Sequence, residues 1–289
     1  MRILVTGGTG SIGGPIVPAL LRRGHEVLAL ARNERAHNIL AGIGATPLAG
    51  DLRRPDDWAG AASDVDGVIH TAASWSEDMA ATDVSVVTAL LDAVRRGKSG
   101  RRFIYTGGCW LYGATGDRVA TETDPYDSLP EFAWSLPLMR DVLGTPDACG
   151  MVIHPAMVYE RDGGVFGPFI ADAKTLGHVR VVGSTAVRWP LVHRDDLAEL
   201  YVQVMEDGKA GDVFNGATVA GMPVGQIASA IAARFGADET PVVRDVRDAE
   251  KDFGSSAAGY AIDQQMSGQA AMQGLGWAPR HKDVLADIS

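Results

Sequence analysis

Short apolar runs alternate with helical stretches along the first half of the chain. The runs that we expect to form strands lie at residues 3–5, 27–30, 45–48, 67–70, 103–106 and 151–154. Between the fourth and fifth runs, apolar residues from Val84 to Val94 recur at helical spacing. Strands that alternate with helices are joined by right-handed crossovers and form a parallel sheet. The pattern therefore predicts an α/β fold with a doubly wound parallel sheet that carries helices on both faces.

The alternation becomes less regular after about residue 156. Here the sequence predicts a glycine-rich loop at 162–167, a helix over 191–206, a short strand at 212–215 and a helix over 222–235. We therefore expect a second, smaller α/β lobe in this half of the chain. In a doubly wound sheet, ligands bind at the carboxyl ends of the strands.

A glycine-rich turn, TGGTGSIG at residues 6–13, directly follows the first predicted strand. Gly7 permits a tight turn, Gly10 lets the main chain approach a phosphate, and Gly13 lets the next helix pack on the strand. The start of that helix would present unpaired N–H groups and a positive dipole end to an anion. We expect the pyrophosphate of a dinucleotide to be held by Gly7, Thr9, Gly10, Ser11, Ile12 and Gly13. The strand before the turn and the helix after it argue against a simple glycine-rich connector.

These features predict a Rossmann dinucleotide-binding domain over residues 1–155. Residues 156–289 would form a smaller C-terminal α/β substrate lobe that partly returns to the Rossmann sheet.

The end of the second predicted strand bears on which dinucleotide is bound. An acidic side chain at this position accepts a hydrogen bond from the ribose 2′-OH of NAD, whereas an arginine pairs with the 2′-phosphate of NADP. This strand ends in Leu30-Ala31-Arg32 and has no carboxylate. A charge-assisted bond contributes roughly 1.5–3 kcal/mol, so Arg32 predicts NADP, with NAD as the alternative if Arg32 is a solvated surface residue.

Composition excludes several classes of function. The 289-residue chain is 46% hydrophobic and carries a net charge of −10, which argues against nucleic-acid binding. Two cysteines give no disulfide framework, and the seven histidines are scattered without metal-ligand spacing, so we predict no metal site. The first strand begins at Ile3, no apolar run approaches 18 residues, and no membrane association is expected. A cytoplasmic protein with a small-molecule substrate is therefore predicted.

Six segments spread along most of the chain carry a family resemblance. They are TGGTGSIG at 6–13, GDL at 50–52, HTAA at 70–73, FIYTGGCWLYG at 103–113, HPAMVY at 154–159 and LVHRDDLA at 191–198. In this order they resemble the extended short-chain dehydrogenase/reductase superfamily, in particular its NAD-dependent epimerase/dehydratase group. The resemblance is also compatible with a homo-oligomer.

The resemblance implies roles for further cofactor-binding residues. Asp51 and Leu52 would border the adenine, although Asp51 as an ordinary loop residue is the alternative. Ala72 and Ala73 would border the ribose and pyrophosphate. The nicotinamide would lie against Pro155, Ala156 and Met157.

The chain departs from the resembled family at the catalytic positions. The family uses a tyrosine as general acid/base, a lysine four residues later, and a serine or threonine on the turn after strand five. None of the six tyrosines has a lysine at the fourth following position, and the family's serine falls on Gly108. In the expected tyrosine region, Ala133 or Trp134 stands for the tyrosine and Pro137 or Leu138 for the lysine.

The missing groups leave three candidates for proton transfer. Thr106 would hydrogen-bond substrate or ribose, with a turn role as the alternative. Tyr112 has a phenol that could donate a proton, and packing is its alternative role. His154 has the chemistry of a proton shuttle, with a structural role as its alternative. General acid/base catalysis accelerates a reaction about 10²–10⁴-fold, so carbonyl reduction would be slow without one such group.

Aromatic residues predict the substrate side of the cleft. If the resemblance holds, Trp110 and Trp134 overlook the nicotinamide end, and Trp189 replaces an arginine usual in sugar-nucleotide enzymes. The other candidate substrate contacts are Trp75, Cys109, Arg188 and Tyr260. Aromatic walls suit a flat or apolar molecule, although each tryptophan could instead belong to the core. The pattern favours a small aromatic or cyclic substrate over a sugar nucleotide.

These observations predict an NADP(H)-dependent oxidoreductase or epimerase-like enzyme. It would act on a small carbonyl or alcohol substrate with a nonstandard proton donor. A non-catalytic NADP-binding sensor is one alternative. A redox-neutral isomerase or lyase that uses the same cleft is another.

Overall fold

The computed structural model describes residues 1–289. Its strands are β1 (Arg2–Thr6), β2 (Glu26–Ala31), β3 (Thr46–Ala49), β4 (Gly67–His70), β5 (Arg101–Thr106), β6 (Ala148–Pro155), β7 (Met157–Glu160), β8 (Gly163–Gly164), β9 (His178–Val182), β10 (Arg188–His193), β11 (Val213–Gly216), β12 (Val219–Pro223) and β13 (Asp238–Arg244). Its α-helices are α1 (Gly13–Arg22), α2 (Glu34–Gly42), α3 (Met79–Arg96), α4 (Ser135–Leu143), α5 (Gly167–Leu176), α6 (Arg194–Asp207), α7 (Val224–Arg234), α8 (Val246–Phe253), α9 (Ala257–Tyr260), α10 (Gln269–Gly274) and α11 (Val284–Ile288). Short 3₁₀ helices lie at Pro55–Asp57, Ala59–Asp64, Cys109–Tyr112, Pro130–Phe132 and Gly254–Ser256.

The central sheet has seven strands in the order β11-β6-β5-β4-β1-β2-β3, and every neighbouring pair is parallel. This arrangement confirms the predicted doubly wound α/β fold. The strand order reverses at β1, which lies between β2 and β4. The crevice at this reversal, outside the carboxyl ends of the strands, is where such sheets bind their ligands.

Strand residues are buried on both faces of the sheet. In β1, Ile3 and Val5 pack into one large apolar cluster, whereas Leu4 packs into a second cluster on the opposite face. The same division separates Ile104 from Phe103 in β5. Because helices cover both faces, these strands are continuous apolar runs, which explains why they could be recognised in the sequence.

The C-terminal half contributes to the central sheet and also forms smaller sheets. Strand β11 pairs with β6, and α6 packs against α1 and β5. The smaller sheets are β12-β10-β7-β8 and the parallel pair β9-β13. The proposed boundary at residues 155 and 156 falls between β6 and β7, and the division into two lobes remains a prediction.

The predicted helix over 191–206 is wrong at its beginning. The apolar run from Trp189 to Val192 belongs to β10, and α6 begins only at Arg194. His193 is the last residue of β10, and its ring nitrogen Nδ1 accepts a hydrogen bond from the backbone N–H of Asp195 at 3.3 Å. A strand and a helix that follow each other without a loop give no turn signal in the sequence. Within the predicted loop at 162–167, two residues form β8.

None of the helices is long and apolar enough to cross a membrane.

Candidate cofactor and catalytic site

The turn after β1 lies directly against the loop that follows β4. Gly7 has a φ of +75°, and a Cβ atom there would lie 2.7 Å from Thr71 Oγ1 and 2.8 Å from the Ala72 nitrogen. A Cβ atom at Gly13 would overlap the carbonyl oxygen of Gly7. Neither position can hold a side chain without displacing backbone, so the turn needs glycine for its conformation and for close packing.

The N-terminus of α1 is uncapped, and the turn before it is exposed. The helix has no side-chain cap, and Thr9, Gly10 and Ser11 in front of it are exposed. A Cβ atom at Gly10 would approach only the Gly7 carbonyl oxygen, at 3.3 Å. Backbone N–H groups at an uncapped helix start, together with the helix dipole, form an anion site. The residues of this turn therefore fit the pyrophosphate of a dinucleotide.

The next part of the crevice lies at the ends of β2 and β3, where Ala31 and Ala49 are register partners. Arg32 follows β2, is exposed, and forms no ion pair or hydrogen bond with the rest of the protein. Asp51 follows β3; its Oδ1 accepts from the Arg53 N–H at 2.9 Å, and its carbonyl accepts from the Trp58 indole at 2.8 Å. The Arg32 guanidinium is free for an anion, whereas the Asp51 carboxylate shapes its own loop.

Ala72 and Ala73 lie in the loop after β4, beside the glycine turn. Trp75, in the same loop, has a φ of +49° and a side chain that is 68% exposed. Its ring therefore stands at the protein surface.

An ion pair connects this loop to the one after β3. Arg53 donates to Asp78 at 2.7 Å and to Ser76 at 3.1 Å. The hydrogen bond from Arg53 lowers the pKa of Asp78 to about 2. The loops after β3 and β4, which the resemblance would place beside the adenosine, are thereby joined.

A buried polar network, which the sequence did not predict, supports the glycine turn from below. His70 Nδ1 lies 2.7 Å from Thr6 Oγ1, and its Nε2 lies 2.7 Å from Asp83 Oδ1. The Tyr105 hydroxyl donates to the other Asp83 oxygen at 2.7 Å. Thr6 Oγ1 also accepts from the Ala72 N–H at 3.4 Å. The network ties the ends of β1, β4 and β5 to α3, so it fixes the loops on both sides of the crevice.

The nicotinamide end implied by the resemblance lies at the ends of β5 and β6. Thr106 Oγ1 is 2.7 Å from the Tyr201 hydroxyl, so this hydroxyl already has a partner in α6. Pro155, Ala156 and Met157 are buried, and the Ala156 N–H donates to the Gly216 carbonyl at 3.0 Å.

Gly108 leaves a gap where the resembled enzymes carry a hydroxyl. A Cβ atom at Gly108 would meet nothing within 4 Å.

Behind this turn, His154 is fully buried and uses both ring nitrogens. Its Nδ1 accepts from the Gly108 N–H at 3.2 Å, and its Nε2 lies 3.0 Å from the Tyr126 hydroxyl. Burial lowers the pKa of His154 to about 3, so the ring is neutral near pH 7. The Tyr112 hydroxyl donates to Asn215 Oδ1 at 2.9 Å, and Tyr112 is fully buried. Tyr126, which the sequence did not single out, is half-buried and is the more open of the two phenols.

Aromatic rings line the adjoining region. The Trp110 ring centroid lies 5.2 Å from that of Phe132 and 5.4 Å from that of Tyr260. A Cβ atom at Gly259 would lie 2.5 Å from the Trp110 ring, so α9 holds this indole closely. Trp110 and Tyr260 are thus brought together, as an aromatic wall requires, although they lie far apart in the sequence.

The other predicted substrate residues occupy different positions. Trp189 is only 2% exposed, stacks on Phe169, and donates its indole N–H to the Tyr260 carbonyl at 3.1 Å. This is a core position rather than an open wall. Trp134 is half-buried at the start of α4 and donates to the Glu131 carbonyl at 2.8 Å.

Two polar residues that the sequence predicts to contact substrate, Arg188 and Cys109, instead interact within the protein. Arg188 forms ion pairs with Asp263 at 2.6 Å and Asp117 at 3.0 Å, so its charge is already compensated. Cys109 is buried, and burial raises the pKa of its thiol to about 12. It is therefore a neutral thiol rather than a nucleophile.

The fold and the glycine turn define a protein of the Rossmann dinucleotide-binding class. The model of the NAD dependent epimerase/dehydratase family matches residues 3–217, and the chain belongs to that family.

Similar proteins include both uncharacterized and enzymatic members. Uncharacterized protein C2A9.02 of Schizosaccharomyces pombe is 29% identical, covering 100% of this chain and 98% of the relative. Vestitone reductase of Medicago sativa is 26% identical, covering 74% of this chain and 76% of the relative. The crystal structure of human epimerase family protein SDR39U1 with NADPH superposes with a TM-score of 0.79 at 20% identity, covering 100% of this chain and 98% of that one. The structural likeness shows the shared fold.

Proposed function

We propose that this protein is an NADP(H)-dependent oxidoreductase that reduces a small aromatic or cyclic carbonyl compound. The glycine turn carries the proposal, because Gly7 and Gly13 exclude any side chain, and the residues 9–11 between them are exposed at an uncapped helix start. A bound nicotinamide dinucleotide would supply or accept the hydride. The chain itself would bind the dinucleotide, position the substrate and supply one proton.

The preference for NADP is proposed from Arg32. Its exposed guanidinium lies at the end of β2, and no protein carboxylate pairs with it. A 2′-phosphate would form a charge-assisted bond there, whereas the NAD ribose would find no carboxylate at this strand end. Solved structures of the same fold hold NADPH or NAD, so the proposed choice depends on Arg32.

The substrate class is proposed from the aromatic wall. Trp110, Phe132 and Tyr260 form a continuous ring contact beside the Cys109–Tyr112 turn. The side chain of Arg188 is held by two carboxylates, so it is not free to bind a sugar-nucleotide phosphate. The relative named vestitone reductase is consistent with reductase chemistry.

The missing tyrosine–lysine pair favours one competing function, a non-catalytic NADP sensor. Ala133 or Trp134 stands where the resemblance places the tyrosine, and Pro137 or Leu138 where it places the lysine. A sensor would bind NADP(H) but turn over no substrate. A redox-neutral isomerase or lyase would instead convert its substrate without net change in the cofactor.

Turnover on a substrate panel tests these functions. Purified protein is incubated with NADPH and a set of ketones, enones and imines, while the absorbance of reduced nicotinamide is recorded and the products are identified by mass spectrometry. We expect saturable NADPH oxidation with an aromatic or cyclic carbonyl compound. Tight NADPH binding without oxidation or substrate conversion on any panel member would contradict the proposal and favour the sensor, whereas conversion without net oxidation would favour the isomerase or lyase.

A further inference from the structure

A cluster of four polar side chains lies behind the Gly107–Gly108 turn. It consists of Tyr112, Tyr126, His154 and Asn215, which we call the tyrosine–histidine cluster. His154 and Asn215 are register partners in β6 and β11, and both are fully buried. Each of the two tyrosine rings lies 5.5 Å from the His154 ring, measured between centroids. The cluster therefore packs directly beneath the turn at which the family resemblance places the catalytic hydroxyl.

The hydrogen bonds in the cluster have an assigned direction. Because the Gly108 N–H donates to Nδ1, the neutral His154 ring must carry its proton on Nε2. Nε2 then donates to the Tyr126 oxygen at 3.0 Å. The Tyr126 oxygen is thus an acceptor in this bond, and the phenolic hydrogen of Tyr126 remains available for another acceptor.

The hydroxyls of Tyr112 and Thr106 are bonded to other groups. The Tyr112 hydrogen bonds to Asn215 Oδ1, and Thr106 Oγ1 pairs with Tyr201. Tyr112 is fully buried, while Tyr126 is half-buried. Within the tyrosine–histidine cluster, Tyr126 combines partial exposure with an unassigned hydrogen.

We propose that Tyr126 is the catalytic proton donor of the reductase reaction, and that His154 is a positioning residue that orients its hydroxyl. This inference rests on the proposed function and identifies the nonstandard donor that function requires. In the step, the Tyr126 O–H bond breaks and its electron pair remains on the phenolate oxygen. The proton forms a new O–H bond on the former carbonyl oxygen, whose carbon has received the hydride. Bulk water later returns a proton to Tyr126.

The neighbouring charges favour proton donation by Tyr126 to a substrate over proton removal from an alcohol. The charged neighbours that raise the pKa of these phenols are acidic, Glu122 for both and Asp124 for Tyr112. Burial raises the pKa of Tyr126, and the neighbouring Tyr112 hydroxyl offsets part of this rise. Tyr126 thus stays protonated near neutral pH and can donate to an alkoxide, which is a far stronger base. Removing a proton from an alcohol would be slower, because little phenolate is present.

Paired phenylalanine variants test the donor. Tyr126→Phe is expected to lower kcat for carbonyl reduction about 10²–10⁴-fold, with KM changed only a few-fold. Tyr112→Phe should have a much smaller effect on kcat. Tyr159→Phe is the matched control, because it also removes a hydroxyl that bonds a side-chain oxygen, that of Asp287 at 2.7 Å. NADPH affinity and Tm of each variant establish that it is folded and cofactor-competent.

Two His154 variants test the positioning role with a readout independent of turnover. His154→Gln keeps an N–H donor that can face Tyr126, whereas His154→Leu keeps bulk without a donor. In protein labelled with ¹³C at tyrosine Cζ, the Tyr126 signal is identified by its loss in Tyr126→Phe, and its pH titration is followed. We expect the Tyr126 pKa to rise in His154→Leu because the phenolate loses a donor, and to lie closer to wild type in His154→Gln. The kcat values should follow the same order.

The possible results separate this inference from the proposed function. If wild type reduces a carbonyl compound and Tyr126→Phe keeps its kcat, the donor assignment is overturned, and the reductase function stands. A larger loss in Tyr112→Phe than in Tyr126→Phe overturns it as well. An unchanged Tyr126 titration in His154→Leu overturns the positioning role. Absence of turnover by wild type on the whole panel overturns the proposed function and the donor role with it.

Discussion

The substitution Gly13→Ala probes the turn on which the proposed function rests. The added Cβ atom would overlap the Gly7 carbonyl oxygen and lie 2.7 Å from both the Gly7 carbonyl carbon and Thr71 Oγ1. Ordinary contacts of this kind need about 3.4 Å or more, so either the turn or the start of α1 must shift by roughly 1 Å.

The size of the effect follows from the groups that move. Overpacking of this kind costs about 1–3 kcal/mol of stability, equivalent to a Tm decrease of roughly 2–10 °C in a protein of this size. The displaced segment also carries the amides that would bind the pyrophosphate. Loss of one charge-assisted hydrogen bond is worth about 1.5–3 kcal/mol, so NADPH affinity should fall about 10–100-fold.

Isothermal titration calorimetry with NADPH, combined with thermal unfolding, measures both effects. Gly60→Ala is the matched control, because a Cβ atom at Gly60 would meet nothing within 4 Å and its φ is not positive. It should leave affinity and Tm nearly unchanged. A folded Gly13→Ala protein that binds NADPH as tightly as wild type would refute the assignment of this turn as the cofactor cradle.

Three further predictions concern the cofactor, the buried histidine and the aromatic wall. Arg32→Ala should weaken NADPH binding about 10–100-fold and leave NADH binding nearly unchanged in titrations of both cofactors; an unchanged ratio would remove Arg32 from the site. Because the pKa of His154 is lowered to about 3 in the folded protein and lies near 6.5 when unfolded, the unfolded state binds the extra proton between these values. The free energy of unfolding should therefore fall as the pH falls from about 6.5 toward about 3, by up to about 1.4 kcal/mol per pH unit from this group. Urea unfolding of wild type and His154→Gln at several pH values isolates this contribution. Equal pH slopes for the two proteins would contradict it. Gly259→Ala places a Cβ atom 2.5 Å from the Trp110 ring and should displace the ring. KM for an aromatic substrate should therefore rise in steady-state kinetics, while NADPH affinity stays unchanged. An unchanged KM would show that Trp110 does not contribute to substrate binding.

The central fold could be predicted because its signals are local. The inner strands β1, β4 and β5 of the parallel sheet are buried on both faces and therefore form apolar runs, and the glycine turn has a fixed spacing after β1. The start of α6 could not be predicted in the same way, because β10 passes into the helix at His193 without an intervening loop.

The polar side of the site depends on contacts between distant residues. Tyr126 and His154 are 28 positions apart, and their hydrogen bond exists only because the segment that carries Tyr126 folds over β6. Likewise, Asp83 lies in α3, and its pairing with His70 appears only when β4 and α3 are packed together. Sequence spacing within one element does not encode such pairs. The burial of Trp189 is a similar case, since a tryptophan suits both a core and a cleft.

Hydride tracing tests the central claim most directly. The wild-type protein is mixed with NADPH deuterated on either face of C4 and with the panel carbonyl compound that gives the fastest oxidation, and the product alcohol is analysed by mass spectrometry and NMR. We predict one deuterium on the former carbonyl carbon from one of the two labelled cofactors and none from the other. NADPH that binds without transferring deuterium to any carbonyl compound of the panel would contradict the account.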